Sequence, residues 1–308
     1  MRKSKNPGRA PLVLTNYDQL TRYGEAFAGG HLNLLILTGG PGLGKSRLIK
    51  SLVGQEACWL DGHTTAFGMY VELYRHRGRP VVIDDVDDLH NNREAVRLLK
   101  SLCQTDREKS ISWNSGTRQL DELGVPHRFQ TAGTTAIIAN DWQRLNLDVE
   151  ALEDRGHVVH FAPSALEVHL QAARWFNDQE VFDFIGARLS LFEQPSFRAY
   201  VTAAELKRAG LDWKQATLAR CLSGKQLVVA QLKADDGFAS EEERAQAFIA
   251  FGHGCRATYF NIAKKLPAVV EPPPLILKAP AAMVEQPAEP MPDVLEILKR
   301  RYGQLGNG

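Results

Sequence analysis

Short apolar runs alternating with amphipathic stretches predict an α/β fold: a mostly parallel, doubly wound sheet of five strands, followed by helices. Two observations carry that expectation. Five apolar runs bounded by turn residues fall before residue 162, most of them separated by helical patterns. From Ser164 onward the strand signal fades and helical spacing takes over.

The elements follow in order. Residues 1–12 read as a flexible basic arm carrying Arg2, Lys3 and Lys5. Tyr17 to Ala28 places Leu20, Tyr23 and Phe27 at helical spacing and stops at Gly29-Gly30. Leu32 to Thr38 is the unbroken apolar run of a parallel strand buried on both faces. Lys45 to Gly54 reads as a helix, Ala57 to Leu60 as a short strand, and Ala66 to His76 as a helix. Gly78-Arg79-Pro80 breaks the chain before the strand Val81 to Asp84. Ala95, Leu98, Leu99 and Leu102 share one face of a further helix. Ile111 to Trp113 and His127 to Thr131 pair as a hairpin projecting from the core, with Trp113 half-packed and Arg118 upon it. Thr134 to Ala139 and Val158 to Phe161 are the fourth and fifth strands.

Glu167 to Ala187, Thr202 to Gly210 and Trp213 to Leu222 read as helices. Ser240 to Gly252 and Cys255 to Leu266 are two more, joined through Gly252-His253-Gly254. Residues 267–292 hold eight of the fifteen prolines, the composition of a linker or tail, with a short helix expected at Asp293 to Arg301. The expected organisation is an arm (1–12), an α/β core (13–163), a helical lid (164–238), a small helical C-terminal module (239–266) and a proline-rich linker and tail (267–308).

Composition sets bounds on function. The 308 residues suffice for two compact domains, and 44% apolar content supplies a sizeable core. A net charge of +1 argues neither for nor against a nucleic-acid partner. Cys58, Cys103, Cys221 and Cys255 are scattered, without CxxC spacing or paired His ligands, which fits reduced structural thiols. No apolar signal region follows the basic N-terminus, and the run Leu34 to Leu37 is far too short to span a bilayer. A soluble, cytoplasmic protein is expected.

Gly39-Gly40-Pro41-Gly42-Leu43-Gly44-Lys45-Ser46 fits the P-loop pattern G-x-x-x-x-G-K-[ST], following an apolar strand and opening a helix. Glycines let backbone N–H groups turn inward around phosphates, and the helix N-terminus adds favourable partial charge. Lys45 then reaches the β and γ phosphates of a nucleotide, and the Ser46 hydroxyl binds Mg2+. Val81-Val82-Ile83-Asp84-Asp85 supplies the second half: a buried strand that delivers carboxylates to the same sheet edge. Asp84 is expected to hold Mg2+ through water, and Asp85 to orient or deprotonate the attacking water.

From Leu32 to Leu206 these residues resemble the AAA+ branch of P-loop ATPases. The resemblance implies a helical lid, Mg2+-dependent ATP hydrolysis, and a homo-oligomer with ATP bound between subunits. It assigns Asn140, which ends the strand Ala136-Ile137-Ile138-Ala139, to sensing the γ-phosphate. Arg155, just before the fifth strand, would reach the neighbouring subunit's nucleotide. Arg198, in Pro195-Ser196-Phe197-Arg198, would be the lid arginine. Asp85 departs from the pattern, because the family usually has Glu there, and aspartate is one methylene shorter. A two-aspartate version is also similar to the signalling ATPases related to the family.

The last two helices read as a helix-turn-helix, with Arg256, Thr258, Tyr259 and Lys264 available to a DNA groove and phosphates. A plain helical hairpin has the same pattern. DNA is therefore one expected partner of the ATPase, in replication, recombination or mobile-element transfer. A protein client is the alternative.

Overall fold

The computed structural model describes residues 11–55, 57–62, 64–84, 92–114, 118–140, 154–192, 196–267 and 277. The first half contains β1 (Leu12–Leu14), α1 (Tyr17–Ala28), β2 (Leu34–Gly39), α2 (Lys45–Val53), β3 (Cys58–Asp61), α3 (Ala66–Arg75), β4 (Val81–Asp84) and α4 (Arg93–Leu102). It continues with β5 (Lys109–Ser112), α5 (Gln119–Glu122), β6 (Arg128–Thr131), β7 (Thr135–Ala139) and β8 (His157–Phe161).

Among the described residues the main sheet has six parallel strands in the order β1-β8-β2-β7-β4-β3, not five. The added strand is β1, which pairs Leu12 with Val159 and Leu14 with Phe161 at the sheet edge. Leu14 is buried, whereas Leu12 and Val13 are exposed. Three residues are too few for a period to separate such an edge strand from an arm.

The central strand β2 is buried along its whole length because both faces of the sheet are covered. Leu34 and Ile36 pack with residues of α3 and α4, and Leu35 and Leu37 pack with residues of α1 and α2. Successive side chains point to opposite faces, so one apolar run serves two cores.

The hairpin forms, with β5 and β6 antiparallel, but its aromatic face packs onto α3. Trp113 is buried, 5.8 Å from Phe67 and 5.6 Å from Tyr70 between ring centroids, and Phe129 lies 5.3 Å from Tyr70. Burial of these rings outweighs the projecting arrangement expected from sequence.

The second half contains α6 (Ala165–Ala172), α7 (Gln179–Gly186), α8 (Phe197–Arg208), α9 (Trp213–Ala219), α10 (Gly224–Ala234), α11 (Glu241–Ala250) and α12 (Arg256–Lys265). The single helix expected over Glu167 to Ala187 is two. Asp178 breaks it, accepting the Val181 N–H at 3.1 Å as the cap of α7 and holding Lys207 of α8 at 2.7 Å. Helix α10 escapes a sequence reading because Gly224 stands at its first position. Phe182, Ile185, Tyr200, Trp213 and Leu218 build one apolar cluster. Val229, Leu232, Ala245, Phe248 and Tyr259 join α10, α11 and α12 in another.

That second cluster alters the expected DNA-facing surface. Tyr259 is fully buried and donates its hydroxyl to Glu241 at 2.7 Å. Arg256 forms a two-pronged pair with Glu242, its closest contacts at 2.8 Å. Thr258 Oγ1 lies 3.3 Å from Cys255 Sγ, and Lys264 is exposed. Tyr259 therefore cannot enter a groove, because the third helix, α10, uses its ring as core. Among the described residues no helix is long and apolar enough to cross a membrane.

Candidate functional site

The loop between β2 and α2 is shaped by two glycines. Gly42 and Gly44 have φ of +75° and +76°, a region costly for residues with a Cβ. A Cβ on Gly42 would collide with Ser196 Oγ, and one on Gly44 would stand 2.9 Å from the Phe197 ring. Gly44 is the N-cap of α2, with no side chain capping the helix. The first-turn N–H groups therefore have no side-chain acceptor and suit an anion.

Parallel register brings the other groups to this loop. Thr38 lies beside Ala139, and Asp84 beside Ile138. Asn140 and Asp84 thus leave the sheet at the edge where Gly39 enters the loop. Lys45 is buried, and its Nζ donates to the carbonyls of Gly39 and Gly40, both at 2.8 Å. The same ammonium lies 3.4 Å from Asn140 Oδ1.

Leu43, Gly44, Lys45, Ser46, Asp84, Asn140 and Arg198 line a cavity of about 780 Å3, within the usual range for small-molecule sites. Ser51, Gln171, Trp175 and Thr202 also line it. Tyr17 anchors the loop from beneath, donating its hydroxyl to Leu43 O at 3.0 Å. Burial, with Glu167 nearby, raises the Tyr17 pKa, so it stays a donor at neutral pH.

The donor set fits Mg2+. The Ser46 hydroxyl and Asp84 carboxylate are hard oxygen donors that both line the cavity, beside a cradle that the absence of Cβ atoms on Gly42 and Gly44 keeps open. Among the described residues no group of three or more His, Cys, Asp or Glu could hold a metal alone. A cation here would need oxygens from a ligand or water.

The structure brings Gly39 to Ser46, Asp84, Asn140 and Arg198 together and leaves Arg155 apart. Arg155 precedes β8, at the sheet end opposite the loop, and its Nη1 donates to Lys100 O at 3.3 Å. Asp85 lies outside the described residues. The sequence reading misses Tyr17, Trp175 and Arg220 as site residues, although all three line the cavity. None stands in a motif, and only folding brings them to the loop.

The parallel sheet, the glycine loop and the acidic strand end define an α/β protein whose candidate site lies at one edge of its sheet. No protein-family model matches the chain. The chain is 26% identical over 152 residues to an uncharacterised 36.7 kDa protein of the nrdC-mobD intergenic region of Enterobacteria phage T4. That match covers 46% of this chain and 42% of the phage protein, so the chain spans less than half of the relative's length. Among solved structures it is similar to NtrX from Brucella abortus in complex with ADP, at 13% identity and a TM-score of 0.47, over 81% of this chain and 68% of NtrX. The NtrX complex with ATP gives 13% identity and a TM-score of 0.36, over 87% of this chain and 70% of NtrX. Both scores lie below 0.5, too low to bear on function.

Proposed function

We propose that the chain binds Mg2+–ATP between the P-loop and the lid, and hydrolyses it as an AAA+-type ATPase working in an oligomer. The observation that carries this reading is the Lys45 ammonium, anchored on the loop carbonyls and 3.4 Å from Asn140, in a cavity that Ser46, Asp84 and Arg198 also line.

Backbone N–H groups of Gly39 to Ser46 cradle the phosphates, and Lys45 neutralises charge on the β and γ groups. Ser46 and Asp84 would hold Mg2+, which would supply neutralisation of phosphate charge. Asp85 orients or deprotonates the attacking water. Asn140 positions the terminal phosphate, and Arg198 approaches it from the lid. Arg155 acts in trans: five strand residues at about 3.3 Å each separate its end of β8 from the loop edge. That distance supports a partner's nucleotide as its target.

The work driven by hydrolysis is proposed to be on DNA, with exposed Lys264 and the basic N-terminal sequence as support. A second reading, a protein client or nucleotide switch, is favoured by the engagement of Arg256 and Tyr259 inside their own module. ATP turnover measured alone, with single-stranded DNA and with duplex DNA, across protein concentration, separates these. Stimulation by either DNA supports the first reading, and none at low salt supports the second. Lys45→Ala is expected to abolish nucleotide binding; unchanged ATP affinity in that variant sinks the whole assignment.

A further inference from the structure

A second cavity, of about 510 Å3, shares no lining residue with the loop cavity. Asp212, Asp235 and Asp236 line it, together with Val228, Leu232 and Phe251. Phe251 is 67% exposed, and Leu211, next to Asp212, is 58% exposed. Large apolar side chains left open around a polar cavity mark an interaction surface.

The charges on this surface are unbalanced. Asp212 accepts the Gln215 N–H and Asp235 the Gly237 N–H, both within their own turns. Arg188 feels Asp236 at longer range. Among the described residues none of the three carboxylates forms an ion pair. Lys214, which also lines the cavity, is engaged by Glu180 at 3.7 Å. The amide nitrogen of Gln231, another lining residue, is buried without a hydrogen-bond partner. The fitting occupant is cationic and apolar, and brings a carbonyl for that amide. A basic amphipathic peptide segment has all three.

The chain itself carries such a segment toward this place. Leu277 packs on the Phe182–Tyr200–Trp213 cluster and donates its N–H to Gln179 Oε1 at 3.0 Å. Gln179 opens α7, and the next residue, Glu180, is the one that engages Lys214. Leu277 is thereby anchored beside the cavity. Sixteen residues further on begins Asp293-Val294-Leu295-Glu296-Ile297-Leu298-Lys299-Arg300-Arg301-Tyr302, which lies outside the described residues. Sixteen residues reach up to about 50 Å, ample for the return. In this segment Val294, Leu295, Leu298 and Tyr302 fall at helical spacing, and three cations stand together at Lys299 to Arg301.

We propose that residues 293–302 dock as an amphipathic helix on this cavity of their own chain, with Lys299 to Arg301 against the three aspartates and the apolar face against Phe251. Tethering gives the segment an effective concentration on the order of millimolar, so a weak contact suffices. The inference is independent of the nucleotide reading.

Zero-length carbodiimide coupling of the full chain, mapped by mass spectrometry, tests it. An equal mixture of unlabelled and heavy-nitrogen chains separates contacts within a chain from contacts between chains. Lys299 is expected to couple to Asp212, Asp235 or Asp236 within one label only. Leu295→Ser,Leu298→Ser keeps every coupling group and every charge, and should cut that yield at least about fivefold through loss of apolar burial. Phe251→Ser should cut it similarly with little change in thermal melting, because the ring is exposed. If Phe251→Ser melts early, the paired leucine variant carries the comparison, since it leaves the described core untouched. No coupling of Lys299 to these aspartates, or a yield that the leucine variant leaves unchanged, overturns the proposal. Coupling between unlike labels makes a second copy the occupant and overturns docking within one chain.

Discussion

The backbone N–H of Phe197 donates to the carbonyl of Gly42 at 2.9 Å, joining the first turn of α8 to the P-loop. The Phe197 ring stacks on Tyr17 with centroids 5.7 Å apart, and Tyr17 in turn bonds Leu43. Residues far apart in the chain thus grip three consecutive loop residues. A shift of the loop must move α8, or break that hydrogen bond.

Gly44→Ala should test this grip. It introduces a Cβ at φ +76°, 2.9 Å from Phe197. The left-handed backbone alone costs about 1–2 kcal/mol. Gly44→Ala made in a Phe197→Ala background, where the ring is gone, is the control for the backbone cost. Chemical denaturation should show a larger loss for Gly44→Ala in the wild-type background than in the Phe197→Ala background, together with lost ATP binding. Equal losses with retained binding would mean that the lid contact is incidental.

The separation of Arg155 from its own loop leads to a mixing experiment. Asp84→Asn,Asp85→Asn subunits and Arg155→Ala subunits should each be inactive alone. Mixed, they should recover part of the wild-type turnover, because some interfaces pair an intact loop with an intact arginine. Turnover that stays at background for every ratio counts against a shared site.

His169 makes stability depend on pH. It is buried, its Nδ1 lies 2.9 Å from the Tyr200 hydroxyl, and its ring stacks on Phe182 at 3.9 Å. Burial lowers its pKa from 6.5 to about 4, with Asp183 pulling weakly upward. The unfolded chain therefore takes up a proton first as pH falls below about 6.5, while the folded lid stays neutral. Stability should drop between about pH 6.5 and 4 and level off below. His169→Gln can pair with Tyr200 but cannot titrate, and its denaturation midpoints should fall less steeply over that window. Identical slopes would rule out a buried neutral imidazole.

The C-terminal module should respond unequally to two substitutions. Tyr259→Ala removes a fully buried ring from the α10–α12 cluster and should cost about 3–5 kcal/mol. Arg256→Ala breaks only an exposed, solvent-screened pair with Glu242 and should cost far less. Urea unfolding followed by circular dichroism measures both. A comparable loss from the two would contradict the packing of this module.

The strands β2, β4, β7 and β8 are legible in the sequence because strands covered on both faces read as apolar runs. The P-loop and Asp84 are legible because that chemistry demands particular residue types at fixed spacing. Helix α10 is hidden by Gly224, and the break at Asp178 by a helical pattern that continues across it. The buried face of the hairpin is hidden because Trp113, Phe129 and Tyr70 meet only through folding.

Local pattern suffices for the loop, for the strand that ends in Asp84, and for the helical second half. The sheet order, the sixth strand, and the choice of cations that face the cavity come from packing instead. Period and spacing report that a face is apolar or a residue charged. They do not report what lies opposite. Sheet register sets Asn140 beside Lys45 and leaves Arg155 at the far end of β8, and helix packing brings Arg220 to the cavity lining.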